Sequence, residues 1–202
     1  MLLSFTAMTA WLLRLMPQYV GRRSQAYAVW FGSAAIWVVV FIVATREIDL
    51  SAPTHAAFGI AASSLGALGA IDIATHRLPR HITYLSMGLI SLLLLFGSTS
   101  IRTQSSDLLA GLVLMFFMIG SLRVLSRGTL GKGDLHLAPL LGILIGWFDP
   151  YRVTAACVVM AVSGAIVSIA LILSRQRKSS DYIAYGPFML FGTAIAILGV
   201  KL

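Results

Sequence analysis

Two carboxylates, Asp72 and Asp134, stand where an apolar chain has least reason to keep a charge. Asp134 closes Gly131-Lys132-Gly133-Asp134 and leads through Leu135, His136 and Leu137 into an apolar run of Leu140, Leu141, Ile143, Leu144 and Ile145, ending at Trp147. Asp72 ends an apolar run of its own and is followed by the polar turn Thr75-His76-Arg77-Leu78-Pro79-Arg80-His81-Ile82-Thr83. An ionised side chain at membrane depth costs about 2.5–3.5 kcal/mol even on lenient insertion scales, so such acids are functional candidates by default. Glycines at 131 and 133 carry no Cβ, which lets the backbone leave helical geometry and another segment come close. Non-helical backbone at that depth survives only under protein or beside a water-filled cavity, so Asp134 is expected to face the interior.

Two acids 62 positions apart, brought to one level in a partly desolvated site, have the logic of an aspartic protease. Like charges held close cannot both ionise, so the pair shares a proton; one acid activates water while the other donates to the scissile carbonyl. The pair titrates as a unit. The residues admit other roles. Asp72 can cap a helix end or pair with Arg77, and Asp134 can cap the helix that follows it. A transporter or proton relay also uses intramembrane Asp and His. Asp72 with His76, and Asp134 with His136, offer metal ligands, although the HExxH pattern of zinc proteases is absent. No metal and no cofactor is expected.

The elements that must position these acids follow from composition. With 58% hydrophobic and 11% charged residues and a mean hydropathy of +0.91, this is an all-α, polytopic membrane chain embedded in a lipid bilayer. The net charge of +8 comes from small basic groups beside apolar runs, which membrane anchoring explains and nucleic-acid binding does not. The single cysteine, Cys157, excludes an internal disulfide and reads as packing. Residues 1–20 are expected to form a short interfacial helix, because the apolar part ends early, carries Arg14 and stops at Pro17. About seven spans follow, near residues 26–44, 56–73, 82–97, 108–125, 135–148, 153–173 and 183–200. In the second, Gly59-Ser63-Ala67 and Ala62-Gly66-Ala70 recur every fourth position, a helix-packing pattern, as is Gly142 with Gly146 in the fifth. The chain divides into 1–55, the N-terminal helix plus the first span, and 56–202, which holds both acids.

Orientation follows from the loops. With a cytoplasmic N-terminus and an external C-terminus, the inside segments hold Arg14, Arg22, Arg23, Arg77, Arg80, Arg123, Arg127, Lys132, Arg175, Arg177 and Lys178, 11 of the 15 basic residues. That asymmetry puts Asp72, at the inner end of the second span, and Asp134, at the inner start of the fifth, near the cytoplasmic face. Asp107 and Asp149 fall in loops on the external side.

These residues resemble the type IV prepilin leader peptidases, membrane aspartyl proteases of the GxGD class, in three ordered blocks over about residues 56–200. Asp72 with Leu78-Pro79 and Thr83 is similar to the first block. Gly131-Lys132-Gly133-Asp134, with Leu141-Gly142 and Gly146-Trp147 behind it, resembles the second, and Gly186-Pro187-Phe188 with Gly192 the closing one. The resemblance implies that Asp72 and Asp134 are the catalytic pair, with Gly131, Gly133, His136, Pro79, Gly186 and Pro187 as the supporting motif. It also implies an inner-membrane enzyme whose substrate is a prepilin or pseudopilin with a basic leader ahead of a hydrophobic helix. Arg80 stands where the family usually has Asn, His136 where it has Lys, and Ala184 where Pro is common. Imidazole titrates near 6.5 while Lys stays charged, so His136 is expected to make activity more sensitive to pH. The cysteine-rich region that larger members associate with N-methylation is absent from this chain, which therefore resembles the short, peptidase-only forms. The oligomeric state is left open.

The basic-residue asymmetry makes a topology prediction. Reporter fusions after Arg80, Lys132 and Lys178 read cytoplasmic, and fusions after Pro53, Thr103, Pro150 and Leu202 read external; a cytoplasmic reading after Pro150 puts the two acids on different sides of the membrane and overturns the shared site.

Overall fold

In lipid each apolar run must satisfy its own backbone N–H and C=O groups, which selects helices. The computed structural model describes residues 1–20, 24–76, 78–98, 101–126, 131–174 and 185–199. Arg22, Arg23, Arg77, Arg127, Arg175, Arg177 and Lys178, which entered the orientation argument, lie outside them, as does Ala184. Among the described residues the regular elements are α1 (Leu2–Val20), α2 (Ser24–Thr45), α3 (Ala52–Thr75), α4 (Arg80–Phe96), α5 (Ile101–Leu125), α6 (Lys132–Phe148), α7 (Arg152–Leu173) and α8 (Gly186–Ile197). The expected all-α membrane bundle is what forms, and each apolar run expected as a span gives one helix.

α3 occupies the centre. Of its most apolar window 83% is buried, against 22–28% in α2, α5 and α7. Its small residues are the cause, because each admits a neighbouring helix at short range. A Cβ added at Gly66 would lie 2.8 Å from the Ala34 Cβ of α2, and one at Gly69 would lie 2.8 Å from Leu190 of α8. Ser63 joins two partners, exchanging a 2.8 Å hydrogen bond with Thr9 of α1 and accepting at its carbonyl from the Trp30 indole of α2. At the Ala52 end Phe58 stacks on Phe41 at 4.7 Å and meets Trp147 edge-on at 5.1 Å, tying α2, α3 and α6 together. α5 and α6 pack through glycines: Gly142 faces the backbone of Gly111, and Gly146 faces that of Asp107. The Gly142/Gly146 pair is thus a packing face, as the sequence predicts.

α1 departs from expectation. Instead of lying flat at the interface it packs along α3, burying Met8, Leu12 and Met16. Its start, at Met1 and Ser4, sits against Gly59, and its last turn reaches α4 through Tyr19 and His81. The missing side chain at Gly59 leaves the room for this contact. α1 runs in the same direction as α3, so Met1 lies beside Gly59, 13 positions back from Asp72, and the end of α1 rather than its start approaches the level of the acids. Asp107 is corrected as well, since it lies within α5 and not in a loop.

Among the described residues four stretches are long and apolar enough to cross a membrane: Gln25–Thr45, Ala52–Thr75, Gln104–Leu125 and Arg152–Ala170. Helices of this kind make the chain a multi-pass membrane protein. α4 and α6 have 17 residues each and α8 has 12. At about 1.5 Å per residue all three fall short of a hydrocarbon core of about 30 Å. These short helices are the ones that open beside Asp72 and Asp134.

Because Gly142 meets backbone, which cannot rotate aside, Gly142→Leu is expected to destabilise the protein by at least about 1–3 kcal/mol. Thermal unfolding in detergent measures it, with Gly32→Ala as the control: nothing lies within 4 Å of a Cβ at Gly32, so its Tm stays near wild type.

Candidate active site

Asp72 lies in the last turn of α3. The helix ends when His76 adopts a left-handed conformation, φ 53°, with its N–H donating to the Asp72 carbonyl at 2.8 Å. The chain then passes Leu78 and enters α4 after Pro79, which has no N–H to leave unpaired and holds extended backbone at φ −72°. The Pro79 carbonyl accepts from both the Thr83 N–H and the Thr83 hydroxyl, each at 3.2 Å.

Leu78 is what explains the second glycine of the 131–134 stretch. A Cβ at Gly133 would stand 3.0 Å from the Leu78 Cβ, so a side chain at 133 would crowd the turn that closes over the start of α6. α6 begins at Lys132, two positions before Asp134, with Gly131 as its N-cap in extended backbone. The Asp134 carboxylate reaches back one turn and accepts from the Gly131 N–H at 3.1 Å.

Asp72 is bound in the same manner by a different helix. Its Oδ2 accepts from the Gly186 N–H at 3.1 Å, across 114 positions of sequence. Gly186 opens α8, and Pro187 sits in that helix's first turn, where a missing N–H costs nothing. A Cβ on Gly186 would overlap the Asp72 carboxylate. Each acid therefore sits at the N-terminal end of a helix, where unpaired N–H groups and the helix dipole favour an anion.

Both side chains are buried, Asp72 at 4% and Asp134 at 5% exposure. They lie close enough for the charge of one to act on the other. Two residues that the sequence reading did not single out join them: Arg123, in the last turn of α5, and the partly buried Tyr185, the N-cap of α8, are each in electrostatic reach of Asp134. Tyr185 immediately precedes the Gly-Pro pair, and that position was the only signal for it. Arg123 had none beyond its place at the end of an apolar run.

Of the residues the sequence singled out, the structure gathers Asp72, Asp134, Gly131, Gly133 and Gly186 around this point, with Pro79 and Pro187 in the turns that deliver them. His136 stands apart. Its Nδ1 pairs with the Tyr84 hydroxyl at 2.6 Å and its ring meets Tyr84 edge-on at 5.7 Å, so it links α6 to α4 without binding either acid. A second pair, Tyr19 with His81, lies about one turn nearer the start of α4. Among the described residues no three His, Cys, Asp or Glu side chains gather as a metal site.

A model of the type IV leader peptidase family matches residues 59–200. A prepilin leader peptidase/N-methyltransferase of Burkholderia pseudomallei (strain 1026b) is 30% identical over 145 residues, covering 70% of this chain and 45% of that protein. Those of Aeromonas hydrophila and Aeromonas salmonicida (strain A449) are each 29% identical over 136 residues, covering 66% of this chain and 46% of theirs. The chain thus spans less than half the length of these relatives. No solved structure matches it significantly.

The bonds to Gly131 and Gly186 separate a capping role from a chemical one. Asn keeps an oxygen to accept the same N–H and removes a buried charge. Asp72→Asn and Asp134→Asn are therefore expected to unfold, in thermal scans in detergent, no earlier than wild type. A loss beyond the roughly 0.3–1 kcal/mol of a helix-terminal anion would make the carboxylates structural caps.

Proposed function

The chain belongs to the type IV leader peptidase family, and on that footing we propose that it is a membrane aspartyl endopeptidase that removes the basic leader of prepilins or pseudopilins. The observation that carries this reading is the pair Asp72 and Asp134. They come from separate helices, are buried, interact electrostatically, and are each held by one backbone N–H at a helix N-terminus. The named relatives are prepilin leader peptidase/N-methyltransferases, which supports the substrate class. The basic-residue asymmetry supports a site at the cytoplasmic face of the inner membrane, the level at which a basic leader meets its hydrophobic helix.

The proposed chemistry needs a shared proton and a positioned water. The Gly186 and Gly131 N–H groups each engage Oδ2 of one acid and leave its Oδ1 to the reactants. The ionised acid takes a proton from water as its oxygen attacks the scissile carbonyl carbon. The protonated acid donates to the carbonyl oxygen, giving a neutral tetrahedral diol. As the diol collapses and the C–N bond breaks, one of its hydroxyls returns a proton to the acid that had donated one, and the proton first removed from water passes to the leaving amine, which restores both acids. Burial strengthens each of these electrostatic steps. Arg123 and Tyr185 assist by fixing the field at Asp134.

Cleavage of a candidate prepilin co-expressed in membranes, read as a gel shift, tests the reading. Asp72→Asn and Asp134→Asn each abolish the shift, and the double variant is no worse than either single one, because neither half of the chemistry runs alone. Gly186→Ala pushes the Asp72 carboxylate aside and lowers the rate by about 100-fold. Asp149→Asn, in the turn after α6 where the carboxylate accepts from the Tyr151 N–H, cleaves normally. Substantial processing by either single Asn variant at 72 or 134 overturns the aspartyl mechanism.

A further inference from the structure

A lipid-facing groove runs between α2 and α8 over α3. Ser33 and Ile36 line one wall, Pro187 and Phe191 the other, with Gly69 and Ile73 along the base. We propose that this groove seats the hydrophobic helix of the substrate just beyond the bond to be cut, an inference that rests on the protease reading above.

Continuity with the acids is the first support. Ile73 follows Asp72 directly, and Pro187 follows Gly186, whose N–H holds the Asp72 carboxylate at 3.1 Å. One end of the groove is thus formed by the backbone that positions the site. From Pro187 the groove follows α8 to Ala194, about 10 Å deeper at about 1.5 Å per residue. A substrate helix whose N-terminus lies at the acids would run parallel to α8 along this track.

The lining selects the occupant. It contains no charged side chain, so it suits the apolar helix and leaves the basic leader to the aqueous side. Ile36, Ile73 and Phe191 are 64%, 51% and 51% exposed, although the nearly buried Trp37 closes the groove behind them. Its volume is about 190 Å³, below the roughly 300–1,000 Å³ of small-molecule sites. That is room for a few side chains of a passing helix and not for a cofactor. Ser33, Gly69 and Ala194 add the small residues that let helix backbones approach closely in lipid, where van der Waals contact drives association. A docked helix is recognised in this way, by an apolar face laid into a groove.

The test compares two substrates of the full-length protein: a prepilin with its whole hydrophobic helix, and a short peptide that spans the scissile bond and ends a few residues beyond it. Ser33→Trp fills the groove, and Phe191→Ala removes a wall. Both are expected to lower kcat/KM for the helix-bearing substrate about tenfold more than for the short peptide, with the change carried mainly by KM. Val162→Trp, on the 53% exposed outer face of α7, treats the two substrates as wild type does. Equal losses on both substrates, or none, overturn the groove. Independently, a photoreactive residue at position 36 in the Asp134→Asn protein is expected to cross-link unprocessed prepilin through its hydrophobic helix. Cross-links to lipid alone make the groove a lipid seat and overturn the proposal. The cross-link still reads if a groove variant fails to fold. A wild-type protein that cleaves neither substrate defeats the protease reading, while the cross-link still decides what the groove holds.

Discussion

The burial of two carboxylates beside each other is the constraint on which the rest of this bundle depends. Taking one such ion out of water costs several kcal/mol even after relaxation, and a second nearby raises that cost through repulsion. Whichever of Asp72 and Asp134 is ionised recovers part of it from its backbone N–H, a hydrogen bond to a charged group worth about 1.5–3 kcal/mol, reinforced by the dipole of the helix behind it. α8 must therefore begin beside Asp72 and α6 beside its own Asp134. Both helix starts must lie at the depth where α3 ends.

That demand explains where the chain gives up side chains. Gly186 has none because Asp72 occupies the space, and Gly133 has none because Leu78 does. Away from the acids the same economy builds the scaffold. α3 is central because Gly59, Ser63, Gly66 and Gly69 each admit a different neighbour or a closer one, and α5 and α6 touch backbone to backbone at Gly111 and Gly142. In lipid, where burying apolar surface against protein gains little over burying it against acyl chains, such contacts carry helix association. At the other end Phe41, Trp147 and Phe148 cluster around Phe58. The bundle is clamped there and leaves the end with the acids to turns and helix starts.

Capping and the proposed catalysis look like rivals on paper, but one geometry is compatible with both. Asp134 does accept the N-cap N–H of its own helix, as a plain capping residue would. Capping residues are ordinarily solvated, however, whereas Asp134 is buried beside a second acid. The cap fixes one carboxylate oxygen and orients the other, which is what a positioned acid or base requires. His136 shows the reverse case. Two residues from Asp134 in sequence, it lies on another side of α6 and spends its ring nitrogen on Tyr84.

The sequence alone determined the class of the molecule and picked out the two acids that are proposed to be catalytic. Hydrophobicity is a local property: runs of apolar residues can only be helices in lipid, and a lone Asp ending such a run is conspicuous whatever surrounds it. The three motif blocks added an order along the chain. The tertiary structure decided who holds whom. That Asp72 is bound by Gly186, 114 positions away, that Gly133 is small for the sake of Leu78, and that Arg123 and Tyr185 reach Asp134 depend on helices meeting, which no local pattern encodes. The same holds for α1. Its short, Arg-bearing sequence reads as interfacial, and it packs along α3 because Gly59 and Ser63, on another helix, leave it the room.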